Sequence, residues 1–289
     1  MRYGVIGTGH WAREIHLAGL AAAPEDDLVG VWGRHPEKRQ SLAQQFGVTA
    51  YDTPEVMFAD VDVVAFAVPP DVQAPLAVRA AQAGCHLLLE KPTALSAEGA
   101  SAVAAACAEA GVASVVFFTL RFDSGMAAWL ATAQEAEGWE GMNATWLGNL
   151  FKEESPYRDS QWRITEGALW DLGPHALSMV LPLMGPVTDL VARRGRRDLV
   201  RMLLTHDGGA TTSVLLSHTV DEAATKRGME VFGPGGWSQM PAGLEPASAF
   251  QNAVTALGHA AATGHPHPCD AAFGAEVVAL LAQAEASAG

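Results

Sequence analysis

Lysine is scarce in this chain. It occurs only at positions 38, 91, 152 and 226, while arginine carries nearly all the positive charge. Lys91 stands between Glu90 and Pro92, directly after the apolar run His86-Leu87-Leu88-Leu89. A lysine partly desolvated at a strand end has its pKa lowered, which suits proton exchange near neutral pH. A second pair of proton-handling groups lies in Asp171-Leu172-Gly173-Pro174-His175. On an unbroken helix, residues four apart share a face, so Asp171 and His175 would point the same way. Pro174 removes one helical hydrogen bond and is expected to kink that turn. Lys91, so placed, fits general acid–base work on a hydroxyl or carbonyl.

A third feature supplies the other half of such a reaction. Gly7-Thr8-Gly9-His10-Trp11-Ala12 reads G-x-G-x-x-A between an apolar run and an amphipathic stretch. In that setting the first glycine permits a tight turn, the second lets a pyrophosphate approach the backbone, and a small third residue allows close helix–strand packing. The helix N-terminus then offers free N–H groups to the phosphates. Gly7, Thr8, Gly9, His10 and Trp11 are thus candidate dinucleotide-binding residues. The second strand ends in Trp32-Gly33-Arg34-His35, with no carboxylate before Glu37. An NAD site usually places an acid here for the ribose 2′-hydroxyl, whereas an arginine can hold a 2′-phosphate. Gly33, Arg34 and His35 therefore point to NADP(H) in preference to NAD(H); the alternative is that Arg34 stacks on adenine and both are accepted. Hydride transfer between a carbinol and a nicotinamide needs a group to take or give the hydroxyl proton, and Lys91 and His175 are both suited. Glu90 is read as orienting Lys91 or the backbone.

The elements that must position these residues divide in two. Up to about residue 120, apolar runs (3–6, 28–32, 61–68, 86–89, 113–118) alternate with helical stretches (12–22, 37–46, 74–83, 97–110). That pattern predicts a doubly wound parallel sheet covered on both faces. Beyond it, strand-like runs at 143–150, 187–194, 199–205, 211–219 and 229–232 follow one another across polar or glycine-rich turns, which predicts an antiparallel sheet. Helices are expected at 168–184, 247–262 and 271–286. The domain boundary falls near Arg121, giving 1–120 as the dinucleotide-binding domain and 121–289 as a substrate-binding and oligomerisation domain.

The bulk composition narrows the class. A chain of 289 residues with 49% hydrophobic and 17% charged residues is globular, and its net charge of -14 disfavours nucleic acid as a partner. Arg193, Arg194, Arg196 and Arg197 form one basic cluster, read as a solvated hairpin turn. Cys85, Cys107 and Cys269 show no paired spacing and read as reduced thiols. No signal peptide or membrane span is expected, so the location is read as cytoplasmic without a membrane partner. His265-Pro266-His267-Pro268-Cys269 lacks an accompanying ligand cluster, and no metal site is expected.

Taken together, Val63–Val68 followed by Pro69-Pro70 and His86–Leu89 followed by Glu90-Lys91-Pro92 resemble the Gfo/Idh/MocA family of oxidoreductases. Trp162-Arg163, Asp171–His175 and Arg121-Phe122 resemble further family motifs. The resemblance implies an N-terminal Rossmann domain plus a C-terminal α+β domain on an open, mostly antiparallel sheet. It implies that Lys91, Asp171 and His175 converge on the reacting carbon. It also implies that Val68, Pro69, Gln73, Glu90, Lys91, Arg121, Trp162 and Arg163 line the cofactor, with a cis peptide before Pro92. The substrate class implied is a secondary hydroxyl or ketone of a sugar, polyol or related cyclic compound, handled by a homodimer or homotetramer formed through the C-terminal sheet. The chain departs from the family at Gln73, where a histidine is frequent, and in the shortened stretch between Trp162-Arg163 and Gly167. Two other readings remain open at this point: a non-catalytic NAD(P)-binding regulator, and an NAD-dependent glycosidase.

Overall fold

The apolar runs near the start of the chain become a parallel sheet. The computed structural model describes residues 1–23 and 25–288. Its first sheet is built from β1 (Arg2–Ile6), β2 (Asp27–Trp32), β3 (Thr49–Ala50), β4 (Val63–Phe66), β5 (His86–Leu89) and β6 (Ser114–Val116), in the order β3-β2-β1-β4-β5-β6. Every pairing is parallel, and β4 is buried along its whole length, as strands covered on both faces must be. The crossovers are α1 (a π-helical stretch Ala12–Leu17 running into an α-helical turn Ala18–Ala22), α2 (Pro36–Phe46), α3 (Pro54–Phe58), α4 (Pro70–Gln82) and α5 (Ala97–Ala110). Proline opens α2, α3 and α4, where its missing N–H costs nothing, and Gly47 and Gly111 close α2 and α5 in the left-handed conformation.

The chain then forms α6 (Thr119–Phe122), α7 (Ser124–Glu135), β7 (Gly141–Leu147), α8 (Gln161–Met184), β8 (Val187–Arg194), β9 (Val200–His206), β10 (Thr211–Ser217), β11 (Lys226–Gly233), β12 (Gly236–Gln239), α9 (Pro246–Thr263) and α10 (Ala271–Ala288). The second sheet runs β12-β11-β7-β10-β9-β8. It is antiparallel except between β7 and β10. Alternate residues such as Met142, Ala144, Met202, Leu204, Val214 and Leu216 are buried beneath α8. Val191, Leu203 and Trp237 remain exposed at 40%, 52% and 63%.

The chain separates into two compact units. One comprises Met1–Phe122 with Glu245–Val278, and the other comprises Asp123–Leu244 with the chain from Ala279 onward. The segment 245–278, expected to belong with everything after residue 121, thus packs with the Rossmann sheet. There α9 lies against β5, β6 and α6, and Phe250 meets the rings of His16 and Phe117.

Four details differ from the sequence reading. Helix α7 was not anticipated, because its alanines blur the periodicity that Met126, Leu130 and Ala133 bury. Short elements β3, α3, α6 and β12 also went unread. Helix α8 begins at Gln161 rather than Ala168. Pro174 keeps helical angles, and the break expected there sits instead at Gly167 (φ 71°, ψ -167°).

Candidate functional site

In the first unit, the Gly-rich turn and the Glu90-Lys91-Pro92 segment are built against each other. A side chain on Gly7 would run into the Ala67 carbonyl at the end of β4, so the turn closes only with glycine. Gly9, in contrast, looks onto open space. Thr8, Gly9 and His10 line a cavity of about 490 Å³ together with Arg13, Glu37, Lys38 and Ser41. A backbone open at Gly9, at the head of a helix and over a concave surface, fits the pyrophosphate of a dinucleotide. Arg34 and His35 are exposed at the entrance to α2 and stand outside that lining. Arg39 fixes the same turn, donating to the Gly33 carbonyl at 3.3 Å and to Asp52 at 2.9 Å.

Glu90 joins the two segments. Its carboxylate oxygen Oε1 accepts from Trp11 Nε1 at 2.5 Å and faces His16 Nε2 at 2.9 Å. Trp11 and His16 are five residues apart. The i→i+5 winding of a π-helical stretch brings such residues to one side, where an α-helix would separate them. His16 is fully buried between Phe117 and Phe250, and its Nδ1 has no hydrogen-bond partner among the described residues. Its Nε2 therefore carries the proton that points at Glu90.

Gln73 performs a task the sequence reading did not foresee. Its side chain is wholly buried. Its Oε1 accepts from the Glu90 N–H at 2.8 Å, and its Nε2 donates to the carbonyls of Glu90, Pro92 and Thr93 at 2.7, 3.2 and 3.3 Å. The amide is thus spent on the backbone around Lys91, where the Lys91–Pro92 peptide is cis. Val68 and Pro69 form the half-buried β4–α4 turn, with the Pro69 carbonyl taking the Gln73 N–H at 2.9 Å. Arg121 lies over the Phe273 ring at 5.7 Å.

The second unit gathers another polar cluster. Asp171 and His175 lie on α8, 5% and 8% exposed. Arg163, from the helical turn before Gly167, donates Nε to Asp171 Oδ2 at 3.1 Å and Nη1 to Ser160 at 3.2 Å. Its guanidinium is stacked between Tyr157 and Trp162, 4.6 and 4.5 Å from the ring centres. The break at Gly167 is what folds Arg163 back onto Asp171. The His175 ring stacks on Trp146 at 5.0 Å. His218, unremarked in the sequence, places Nε2 2.9 Å from Asp171 Oδ2, tilted off the hydrogen-bond axis. Its only sequence signal is its place at the end of an alternating strand. Among the described residues no group of three or more His, Cys, Asp or Glu side chains is placed to hold a metal ion. His267 instead stacks on Phe122 at 5.3 Å and accepts the Cys269 N–H.

Comparison with known proteins resolves the family. Residues 1–118 match the model of an oxidoreductase family with an NAD-binding Rossmann fold, and residues 142–239 match the Gfo/Idh/MocA C-terminal domain. The chain belongs to the Gfo/Idh/MocA family. Relatives within it include UDP-N-acetylglucosamine 3-dehydrogenase of Acidithiobacillus ferrooxidans, 36% identical over 36% of this chain and 32% of that protein. D-apiose dehydrogenase of Paraburkholderia graminis is 28% identical over 76% of this chain and 61% of its own length. Both matches span less than two thirds of the relative. The fold of the whole chain is shared with the solved A. ferrooxidans enzyme (TM-score 0.83, 23% identity, 100% of this chain and 97% of that one). It is shared equally with the WlbA dehydrogenase of Bordetella pertussis (TM-score 0.85, 20% identity, 99% and 96%), solved in complex with NADH and UDP-GlcNAcA.

Proposed function

We propose that this Gfo/Idh/MocA member is an NAD(P)-dependent dehydrogenase or reductase acting on a secondary hydroxyl or its ketone in a sugar, polyol or related cyclic compound. The observation that carries the reading is the Glu90 bridge: one carboxylate ties the dinucleotide turn, through Trp11 and His16, to the segment that presents Lys91. When bound, the nicotinamide supplies the hydride acceptor or donor. Gly7, Thr8, Gly9, His10, Trp11, Gly33, Arg34, His35, Val68 and Pro69 hold the cofactor, with Arg121, Trp162 and Arg163 as further lining. Gln73 and Glu90 set the loop that carries Lys91. Lys91 exchanges the hydroxyl proton, and Asp171 and His175 orient the same hydroxyl. The sugar-directed names of the relatives support the substrate class.

The test is a panel of sugars, polyols and ketones, followed through reduced-nicotinamide absorbance with both cofactors. Turnover on a member of the panel is expected, and Lys91→Ala should remove it. Turnover that survives the substitution excludes Lys91 from the chemistry and favours a regulator.

We further propose that NADP(H) is preferred. Support comes from the absence of an acid between Trp32 and Glu37 and from Arg13 and Lys38, which line the cavity above the turn beside Glu37. Arg34→Asp should weaken NADP binding by about tenfold or more, the scale of one lost charge-assisted contact, while leaving NAD binding nearly intact. Equal NADP affinity in both proteins would remove Arg34 from cofactor choice. A self-association through the open face around Leu203 and Trp237 is proposed as well, and light scattering that finds a monomer rejects it. The three buried free cysteines support a cytoplasmic location, and no described helix is long and apolar enough to cross a membrane.

A further inference from the structure

We propose that His218 is a positioning residue of the second unit's polar cluster: it confines the Asp171 carboxylate beside Arg163 and is itself set by the β8–β9 hairpin. The inference rests on the oxidoreductase reading for its kinetic consequence, though not for its geometry.

The hairpin tip is where the construction begins. Arg197 is the one non-glycine residue with a left-handed backbone (φ 56°) among those described. Such positions carry a conformational cost and persist only where the surroundings enforce them. Here the conformation lets Arg197 Nη1 donate to the Thr219 carbonyl at 2.5 Å while the next residue, Asp198, turns inward. Asp198 is then consumed by the end of β10. Its Oδ1 accepts from Ser217 Oγ at 2.6 Å and Thr219 Oγ1 at 2.5 Å, and its Oδ2 accepts the His218 N–H at 2.8 Å. The His218 carbonyl takes the Leu150 N–H at 2.9 Å. Both backbone polar groups of His218 are therefore fixed.

The ring is equally confined. It is 3% exposed, meets the edge of Phe151 at 5.8 Å, and sets Nε2 2.9 Å from Asp171 Oδ2. Arg163 approaches that same oxygen at 3.1 Å. The charged groups facing His218 are Asp171 and, through it, Arg163 on α8, with Asp198 at its backbone. A bare imidazole lone pair would repel a carboxylate at this distance, so the Nε2 position carries the proton. Asp171 Oδ2 thus accepts from a stacked guanidinium and lies 2.9 Å from a buried imidazole nitrogen set off the hydrogen-bond axis. A carboxylate that must meet a substrate hydroxyl gains from such fixation, because misplacement of a reacting group by about 1 Å can cost about 10²-fold in rate. His218 touches no substrate atom in this role.

Three substitutions, singly and combined, separate this role from simple packing: His218→Leu, which fills the space without a donor; His218→Gln, whose amide N–H reaches to a similar distance; and Asp171→Leu. On a substrate found by the panel, His218→Leu should lower kcat about 10²-fold with KM little changed, and His218→Gln should restore most of the loss. Adding His218→Leu to Asp171→Leu should cost little more than Asp171→Leu alone. Wild-type kcat in His218→Leu, or losses that multiply independently, would overturn the proposal. Circular dichroism of each variant checks that the fold is retained.

A second readout needs no turnover. The side-chain ring NMR signals of His218 should shift in Asp171→Leu, because the carboxylate 2.9 Å from Nε2 is removed. An unmoved signal rejects the pairing. A moved signal in a protein silent on the whole panel leaves the pairing standing and removes the oxidoreductase reading.

Discussion

A single amide carries much of the geometry around Lys91. Gln73 Nε2 and Oε1 satisfy backbone groups of Glu90, Pro92 and Thr93 that are otherwise out of reach of water. Gln73→Ala leaves these groups unmet, each at about 1–3 kcal/mol. The variant should unfold at clearly lower urea and turn over more slowly than wild type, and an unchanged urea midpoint would show that the loop is held by something else. The family resemblance placed Gln73 among the cofactor contacts. It could not show that the side chain turns inward, since that depends on β5 passing beside α4. His218 eluded the sequence for a similar reason. Its meaning comes from Asp198 and Asp171, twenty and forty-seven residues away, and no local pattern links the three.

At the scale of elements, the alternation of buried strands and helices in the first 118 residues was plain, because parallel strands covered on both faces are apolar throughout. The G-x-G-x-x-A turn was legible for the same reason: its glycines answer local steric demands. The second sheet was legible as a run of strands but not in its order, since nothing in β7 or β10 announces that they run parallel. Helix α8 shows how one backbone position organises a cluster. Gly167 adopts angles essentially confined to glycine. Gly167→Ala should therefore destabilise the protein by about 1–3 kcal/mol and loosen the Arg163–Asp171 contact. Thermal unfolding reads the first effect, and a lower kcat on the accepted substrate reads the second. Full stability in Gly167→Ala would mean that the two halves of α8 join without the break.

Across the whole molecule, three histidines tie stability to acid. Burial holds His86, His206 and His267 below the ordinary imidazole value of 6.5. His206 is engaged on both ring nitrogens, by the Gly185 carbonyl at 3.0 Å and Thr212 Oγ1 at 2.8 Å, which suits one donor and one acceptor, the neutral ring. The unfolded chain takes up protons at these positions as the pH falls through 6.5, while the folded protein resists until lower pH. The unfolded state then binds more protons, so stability falls with acid below that value and is unaffected by these groups above it. Urea midpoints compared at about pH 7.5 and about pH 5.5 should show the loss, and His206→Gln should show a smaller one. A midpoint flat over that range would mean the imidazoles are not the acid-sensitive groups.

The return of residues 245–278 to the first unit has a consequence for how the protein is made. Phe250 completes a ring cluster with His16 and Phe117, so the Rossmann sheet cannot close its apolar face when residue 122 leaves the ribosome. A further 122 residues must be translated before Glu245 emerges. At about 5–20 residues per second the nascent half waits roughly 6–24 s with that face bare. During this interval it is a client for whatever shields nascent apolar surface, and a fragment cut at the end of the family's N-terminal match would remain in that state for good.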